Sequence, residues 1–153
     1  MVFEHDYINF PELTNKQISE FGFTSPHKQI VEDFPARVVK VSDGDTITLR
    51  ATFRDFDFPL RFLSVDAPEL STGDKGAKSK DWLKEFIEDQ LVDVKINREN
   101  RVGKFGRLLG DVVFKGLNMG DLMVQKGLAT PFGRRREDSL PVINKELSMG
   151  NWL

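Results

Sequence analysis

Three short stretches concentrate the side chains that could do chemistry. Asp45 follows an Asp43-Gly44 turn signal, Asp66-Ala67-Pro68-Glu69 ends an apolar run, and Arg107 closes Gly103-Lys104-Phe105-Gly106-Arg107. Two carboxylates on neighbouring strand ends can share a hard cation, because Ca²⁺ takes oxygen ligands in a flexible geometry. The backbone carbonyl of Ala67 could add another oxygen whatever its side chain, and Pro68 stiffens the turn that holds the acids. Arg61 sits in an otherwise apolar stretch five residues before Asp66, where a half-buried guanidinium needs an anionic partner. Regular strand alternation puts Arg61 and Asp66 on opposite faces, so the strand end must turn to bring them together. Each piece also has a purely structural reading. Asp-Gly-Asp is more often a hairpin turn than a metal site, Asp-x-Pro-Glu commonly just terminates a strand, Arg61 suits a structural ion pair equally well, and Arg107 alone reads as a solvated loop charge.

The elements that must position these residues follow from periodicity. Val38, Val39 and Val41 lead into Asp43-Gly44 as a two-residue hairpin, and Thr46-Ile47-Thr48-Leu49 returns. A third strand is expected from Phe58 to Val65, a fourth over Val92, Val94 and Ile96, and a fifth from Leu108 to Phe114. Between the third and fourth, the polar stretch Ser71 to Gly76 reads as a loop. Trp82, Leu83, Phe86 and Ile87 then read as an amphipathic helix of about three turns. Asn118 and Asp121 open a second helix that Gly127 closes, and Leu140 to Leu147 suggests a third. Strands in this order, with one helix inserted and others following, predict an α+β chain: a five-stranded OB-type β-barrel with about three helices, plus an N-terminal arm.

The arm, residues 1–36, has a capping-box spacing at Thr14 and Gln17 before a short helix that Gly22 would stop. It holds two basic side chains (Lys16, Lys28) against six acidic ones (Glu4, Asp6, Glu12, Glu20, Glu32, Asp33). Subtraction from the whole chain's 22 basic and 24 acidic leaves 20 against 18 over 37–153, a mildly cationic body within a chain of net charge −2. Phosphate binding would therefore need a local patch. The chain's 153 residues suit one domain with a real core. The absence of cysteine excludes disulfides, thiolate metal sites and a cysteine nucleophile. His5 and His27 have no metal-ligand spacing to a second candidate. No apolar run spans a bilayer and no signal peptide opens the chain, so a cytoplasmic location, in a cell or a virus, is expected.

Taken in order, Val41-Ser42-Asp43-Gly44-Asp45-Thr46, Leu60-Arg61-Phe62-Leu63-Ser64-Val65-Asp66-Ala67-Pro68-Glu69 and Lys104-Phe105-Gly106-Arg107 resemble the staphylococcal (micrococcal, thermonuclease-like) nuclease family. Met123-Val124-Gln125-Lys126-Gly127-Leu128-Ala129 and Trp152 extend the likeness over roughly residues 37–153. The resemblance implies a Ca²⁺-dependent phosphodiesterase that cuts DNA, RNA or both by water attack, leaving 5′-hydroxyl and 3′-phosphate ends. Asp45, Asp66 and the Ala67 carbonyl would ligate the cation. Glu69 would act as general base or orient the water, and Arg61 and Arg107 would clamp the phosphate. Lys104, Phe105 and Arg134-Arg135-Arg136 would contact the nucleic acid. Phe105 stands where the family often has tyrosine, and the family's later tyrosines have no match around Pro131-Phe132-Gly133; the one tyrosine here is Tyr7. Two other readings stay open. One is a non-catalytic nucleic-acid- or protein-binding module on the same fold. The other is a component of a viral or multiprotein assembly docked through residues 1–36, in a chain otherwise expected to be monomeric.

Overall fold

The computed structural model describes residues 11–20, 22, 25–69, 73–103 and 106–132. In chain order the elements are α1 (Asn15–Ser19), β1 (Phe34–Asp43), β2 (Thr46–Arg50), β3 (Phe58–Phe62), β4 (Val65–Asp66), α2 (Asp74–Ile87), β5 (Leu91–Lys95), β6 (Leu108–Phe114), β7 (Leu117–Asn118), α3 (Met119–Gln125) and β8 (Thr130–Pro131). The main sheet runs β3-β2-β1-β5-β6-β7, and β6 pairs back onto β3 in parallel through Leu60–Leu108, Arg61–Leu109 and Phe62–Gly110. Five strands thus close into the expected OB-type barrel, which removes the open edges of a flat sheet. Strand β1 serves two neighbours, β5 through Phe34–Arg37 and β2 from Arg37 onward. Register shifts between Val38 and Lys40 and between Val41 and Asp43 bend it around the barrel.

The barrel is filled by the inward set of each strand. Val38, Val41, Ile47, Leu49, Phe58, Leu60, Phe62, Val94, Leu108 and Val112 are at most 1% exposed. Leu83 and Ile87 from α2 and Met119 and Met123 from α3 complete the core, all fully buried. Helix α3 begins and ends as expected. The Asn118 side chain accepts from the Asp121 N–H at 3.0 Å, and Gly127 takes φ 74° while the Leu128 N–H donates back to the Met123 carbonyl at 2.8 Å.

Four details differ from the sequence-based expectations. The turn between β1 and β2 is Gly44-Asp45, because Asp43 still pairs with Thr46 as the last residue of β1. Strand β3 stops at Phe62; the Leu63 N–H donates to the Gly110 carbonyl, the chain bends, and Val65–Asp66 pairs separately with Thr130–Pro131. Helix α2 starts at Asp74, inside the stretch expected as loop, because its inward positions there are the small Gly76 and Ser79, both buried and in phase with Leu83 and Ile87. Among the described residues β7 and β8 were not expected; each is a two-residue pairing. The expected helix from Leu140 to Leu147 lies outside the described residues.

The described residues between 11 and 33 pack at the barrel end away from the β1–β2 turn, against Arg54 and Arg101. Thr14 and Gln17 form both halves of the capping box of α1, and Gly22 has φ 67°. Leu13 and Ile30 are buried, and Glu12 is 0% exposed. One Glu12 oxygen accepts from Arg54 Nη2 at 2.6 Å; the other accepts from Arg101 Nη2 at 3.4 Å and from the Ile30 N–H at 3.0 Å. Arg54 also donates to the Lys28 carbonyl at 2.6 Å and lies 4.7 Å over the Phe58 ring. Burial pulls the Arg101 guanidinium below its ordinary value, against the pull of Glu12. Two guanidiniums therefore share one carboxylate out of water.

Two stability predictions follow from these contacts. A Cβ at Gly44 would stand 2.7 Å from Ser79 Cβ and 2.8 Å from Ala67 Cβ, both rigid atoms. Gly44→Ala should cost roughly 1–3 kcal/mol in urea denaturation; an unchanged midpoint would mean that α2 can move aside freely. Glu12→Gln leaves both guanidiniums uncompensated and should cost about 3–5 kcal/mol. A loss too small to resolve in the same titration would show that the cluster contributes little.

Candidate active site

Three strand ends converge beside the β1–β2 turn. Thr46 lies opposite Arg61 across β2 and β3, and the Phe62 N–H donates to the Asp45 carbonyl at 2.8 Å. The ladder thus carries on past the strand end and sets Asp45 beside Arg61. The bend at Leu63-Ser64 then reverses the alternation that would have sent Asp66 to the far face. Arg61 Nη2 donates to Asp45 Oδ2 at 3.2 Å and, more closely, to Asp66 Oδ1. The three side chains are 14%, 10% and 24% exposed respectively, so this contact is largely shielded from solvent.

Asp45 is further fixed by two donors. Its Oδ2 accepts from the Ala67 N–H at 2.9 Å and its Oδ1 from Thr46 Oγ1 at 3.1 Å. Ala67 is buried against the turn. Arg107 precedes β6 on a short reversal in which the Gly103 N–H donates to its carbonyl at 2.8 Å and Gly106 takes φ 79°. That reversal holds the guanidinium half-buried. Burial lowers its pKa first and Arg61 adds to the effect, while Asp45 and Asp43 pull the other way. Arg107 therefore shares the electrostatic field of Arg61, Asp45 and Asp43 and is not a lone loop charge. Glu69 is exposed at the end of the same segment and lies within electrostatic reach of Asp43.

Three further residues belong to this neighbourhood and were not singled out from the sequence. Burial raises the Asp43 carboxyl above its ordinary value, Asp45 and then Glu69 raise it further, and Lys80 and Arg107 oppose them. Asp43 thus marks a crowd of negative charge, and the symmetric Asp-Gly-Asp was the signal that could have found it. Lys80 reaches this crowd from α2. The Phe132 ring lies 5.3 Å from the Arg61 guanidinium carbon, held there because its N–H donates to the Ser64 carbonyl at 2.8 Å. His27 rests against Phe56 with ring centroids 4.7 Å apart, within the N-terminal packing. Lys104, Phe105, Arg134, Arg135 and Arg136 lie outside the described residues, as do His5, Tyr7 and Trp152.

The donor set is all oxygen, which suits a hard cation. Among the described residues no three His, Cys, Asp or Glu side chains are gathered closely enough to hold a metal. A cation here would take the Asp45 and Asp66 carboxylates and draw the rest of its shell from backbone carbonyls and water. Two guanidiniums beside two carboxylates give one place for a cation and one for an anion, a pairing suited to a phosphodiester. No described helix is long and apolar enough to cross a membrane.

Comparison with known proteins agrees with this chemistry. An uncharacterized endonuclease of Escherichia coli is 34% identical over 116 residues, covering 74% of this chain and 72% of the relative. An uncharacterized endonuclease of Haemophilus influenzae is 32% identical over 104 residues, covering 68% and 56%. A micrococcal nuclease of Shigella flexneri is 34% identical over 110 residues, covering 63% and 58%. Residues 59–146, more than half of the chain and spanning Arg61, Asp66, Glu69 and Arg107, match the staphylococcal nuclease homologue family. A closed five-stranded barrel, the Asp45–Arg61–Asp66 contact at its rim and this match together establish that the chain belongs to the staphylococcal nuclease family.

Proposed function

We propose that the chain is a calcium-dependent nuclease that hydrolyses phosphodiester bonds of DNA, RNA or both, leaving 5′-hydroxyl and 3′-phosphate ends. The observation that carries this reading is Arg61, held between Asp45 and Asp66 and sharing their field with Arg107. The relatives' names, endonuclease and micrococcal nuclease, support it.

Asp45 and Asp66, with the Ala67 carbonyl, are the residues that would hold calcium, whose charge would help neutralise the phosphoryl oxygens. The pre-oriented Asp45 fits that role, because Thr46 and the Ala67 N–H already fix its carboxylate. Arg61 and Arg107 grip the phosphate and stabilise the negative charge that grows on it as it becomes pentacovalent. Glu69 takes a proton from a water molecule, whose oxygen bonds to phosphorus. The bond from phosphorus to the 5′ oxygen breaks, that oxygen gains a proton and leaves as the hydroxyl, and the phosphate stays on the 3′ side. Phe132 limits the rotation of Arg61 by covering one face of the guanidinium.

Single-stranded DNA incubated with millimolar calcium should be cut, and a chelator should stop the cutting. Cleavage that persists in chelator, or binding without turnover when calcium is present, overturns the proposal; the second outcome favours a binding module. Glu69→Gln should lower kcat by about 10²–10⁴-fold, and Arg107→Ala should remove roughly 3–4 kcal/mol of transition-state stabilisation. Both variants should keep the wild-type denaturation midpoint, since Glu69 is exposed and Arg107 only half-buried. Full activity in either would take that residue out of the mechanism.

A further inference from the structure

A groove of about 510 Å³ begins at Asp66, Ala67 and Pro68 and runs between the first half of α2 and the turn after α3. Lys75 and Lys78 stand on one wall, three residues apart on one face of α2, and Lys126 stands on the other. All three are exposed, and among the described residues none forms an ion pair with a carboxylate. Lys84 and Lys95, by contrast, lie 3.8 Å from Glu88 and 3.7 Å from Asp33.

The groove is rigidly registered to the catalytic cluster. Ser79 Oγ donates to the Leu128 carbonyl at 2.6 Å and so ties the two walls together. The Ser79 Cβ also packs directly under Gly44, the residue before Asp45. On the far wall, Thr130 Oγ1 donates to the Asp66 carbonyl at 3.3 Å. Three ammonium groups converging from two elements repel one another unless an anion lies between them. Their placement on both walls of the groove suits a chain of spaced negative charges better than one small ion.

We infer that this groove is a subsite for the phosphodiester backbone on one side of the scissile phosphate, with Lys75, Lys78 and Lys126 contacting flanking phosphates. The inference rests on the nuclease reading for where the scissile phosphate sits. It makes the chain prefer a strand that extends past Asp66 over a minimal diester. Contacts of this kind position the strand and carry no base preference.

The test measures how a single-stranded DNA oligonucleotide binds the Glu69→Gln chain across a salt series. Replacing Lys75, Lys78 and Lys126 with glutamine should flatten the slope of log Kd against log salt by about 2, at roughly 0.7 per phosphate contact. In the active chain the same triple replacement should raise KM for the oligonucleotide, with the loss falling on KM and not on kcat. A control triple at the exposed Lys16, Lys40 and Lys95 removes equal charge elsewhere and should keep the original slope. A slope unchanged by the groove variant, or lowered equally by the control, overturns the inference. Because binding is read without turnover, a wild-type chain that cuts no strand would count against the nuclease reading and leave the slope comparison standing.

Discussion

Arg61 donates from a single nitrogen to both Asp45 and Asp66, and the geometry of the rim depends on that shared contact. Two shielded carboxylates brought this close repel each other, so a cation must lie between them. Arg61 supplies that charge from the core-facing sheet itself. The contact exists only because the barrel closes. The Leu63 N–H reaches the Gly110 carbonyl on β6, and the Phe132 N–H reaches Ser64 from beyond α3. These two bonds bend the chain after β3, and the bend returns Asp66 to the side of Arg61. Without it, a regular strand would hold the two residues on opposite faces.

Much of this was legible beforehand, and for identifiable reasons. Alternation marked the strand at Val92 and Val94 because one of its faces is buried and the other is not. Asn118, Asp121 and Gly127 bounded α3 because capping is chemistry between neighbours in sequence. The first turn of α2 escaped notice because its inward residues, Gly76 and Ser79, are small and carry no hydrophobic signal. Of the site, the residue types were legible and so was the need for a turn between Arg61 and Asp66. The bend itself was not, since its partners Gly110 and Phe132 come from remote segments. Phe132 was passed over for a similar reason: its only mark in sequence was the absence of a tyrosine.

The two ends of the barrel face opposite electrostatic problems. At the far end, Arg54 and Arg101 converge on Glu12, an excess of positive charge removed from water. At the rim, burial raises the Asp43 carboxyl and the nearby Asp45 and Glu69 raise it further, against Lys80 and Arg107. The far end answers with packing. Leu13 and Ile30 seal it, and the backbone carbonyls of Leu13 and Lys28 accept from Arg101 and Arg54, although Arg54 Nη1 and Arg101 Nε stay buried without a hydrogen-bond partner among the described residues. Such an arrangement gains rigidity more than net energy, since burying charge costs most of what pairing returns. The rim is shielded at Asp45 and exposed at Glu69, and on the proposed reading a bound cation would meet its negative charge.

That difference bears on how a chain of net charge −2 can act on a polyanion. Binding needs a local field, and salt screens charges beyond about 10 Å at 0.1 M ionic strength. Of the arm's described acids, Glu12 is engaged by Arg54 and Arg101, and Asp33 by Lys95. Arg61 and Arg107 add positive charge among the rim acids. Lys75, Lys78 and Lys126 extend that positive surface along the groove from Asp66. On the proposed reading, a strand laid there would meet these cations in sequence. Cleavage would then be confined to the phosphate that reaches Asp45 and Asp66, while its neighbours would only be held.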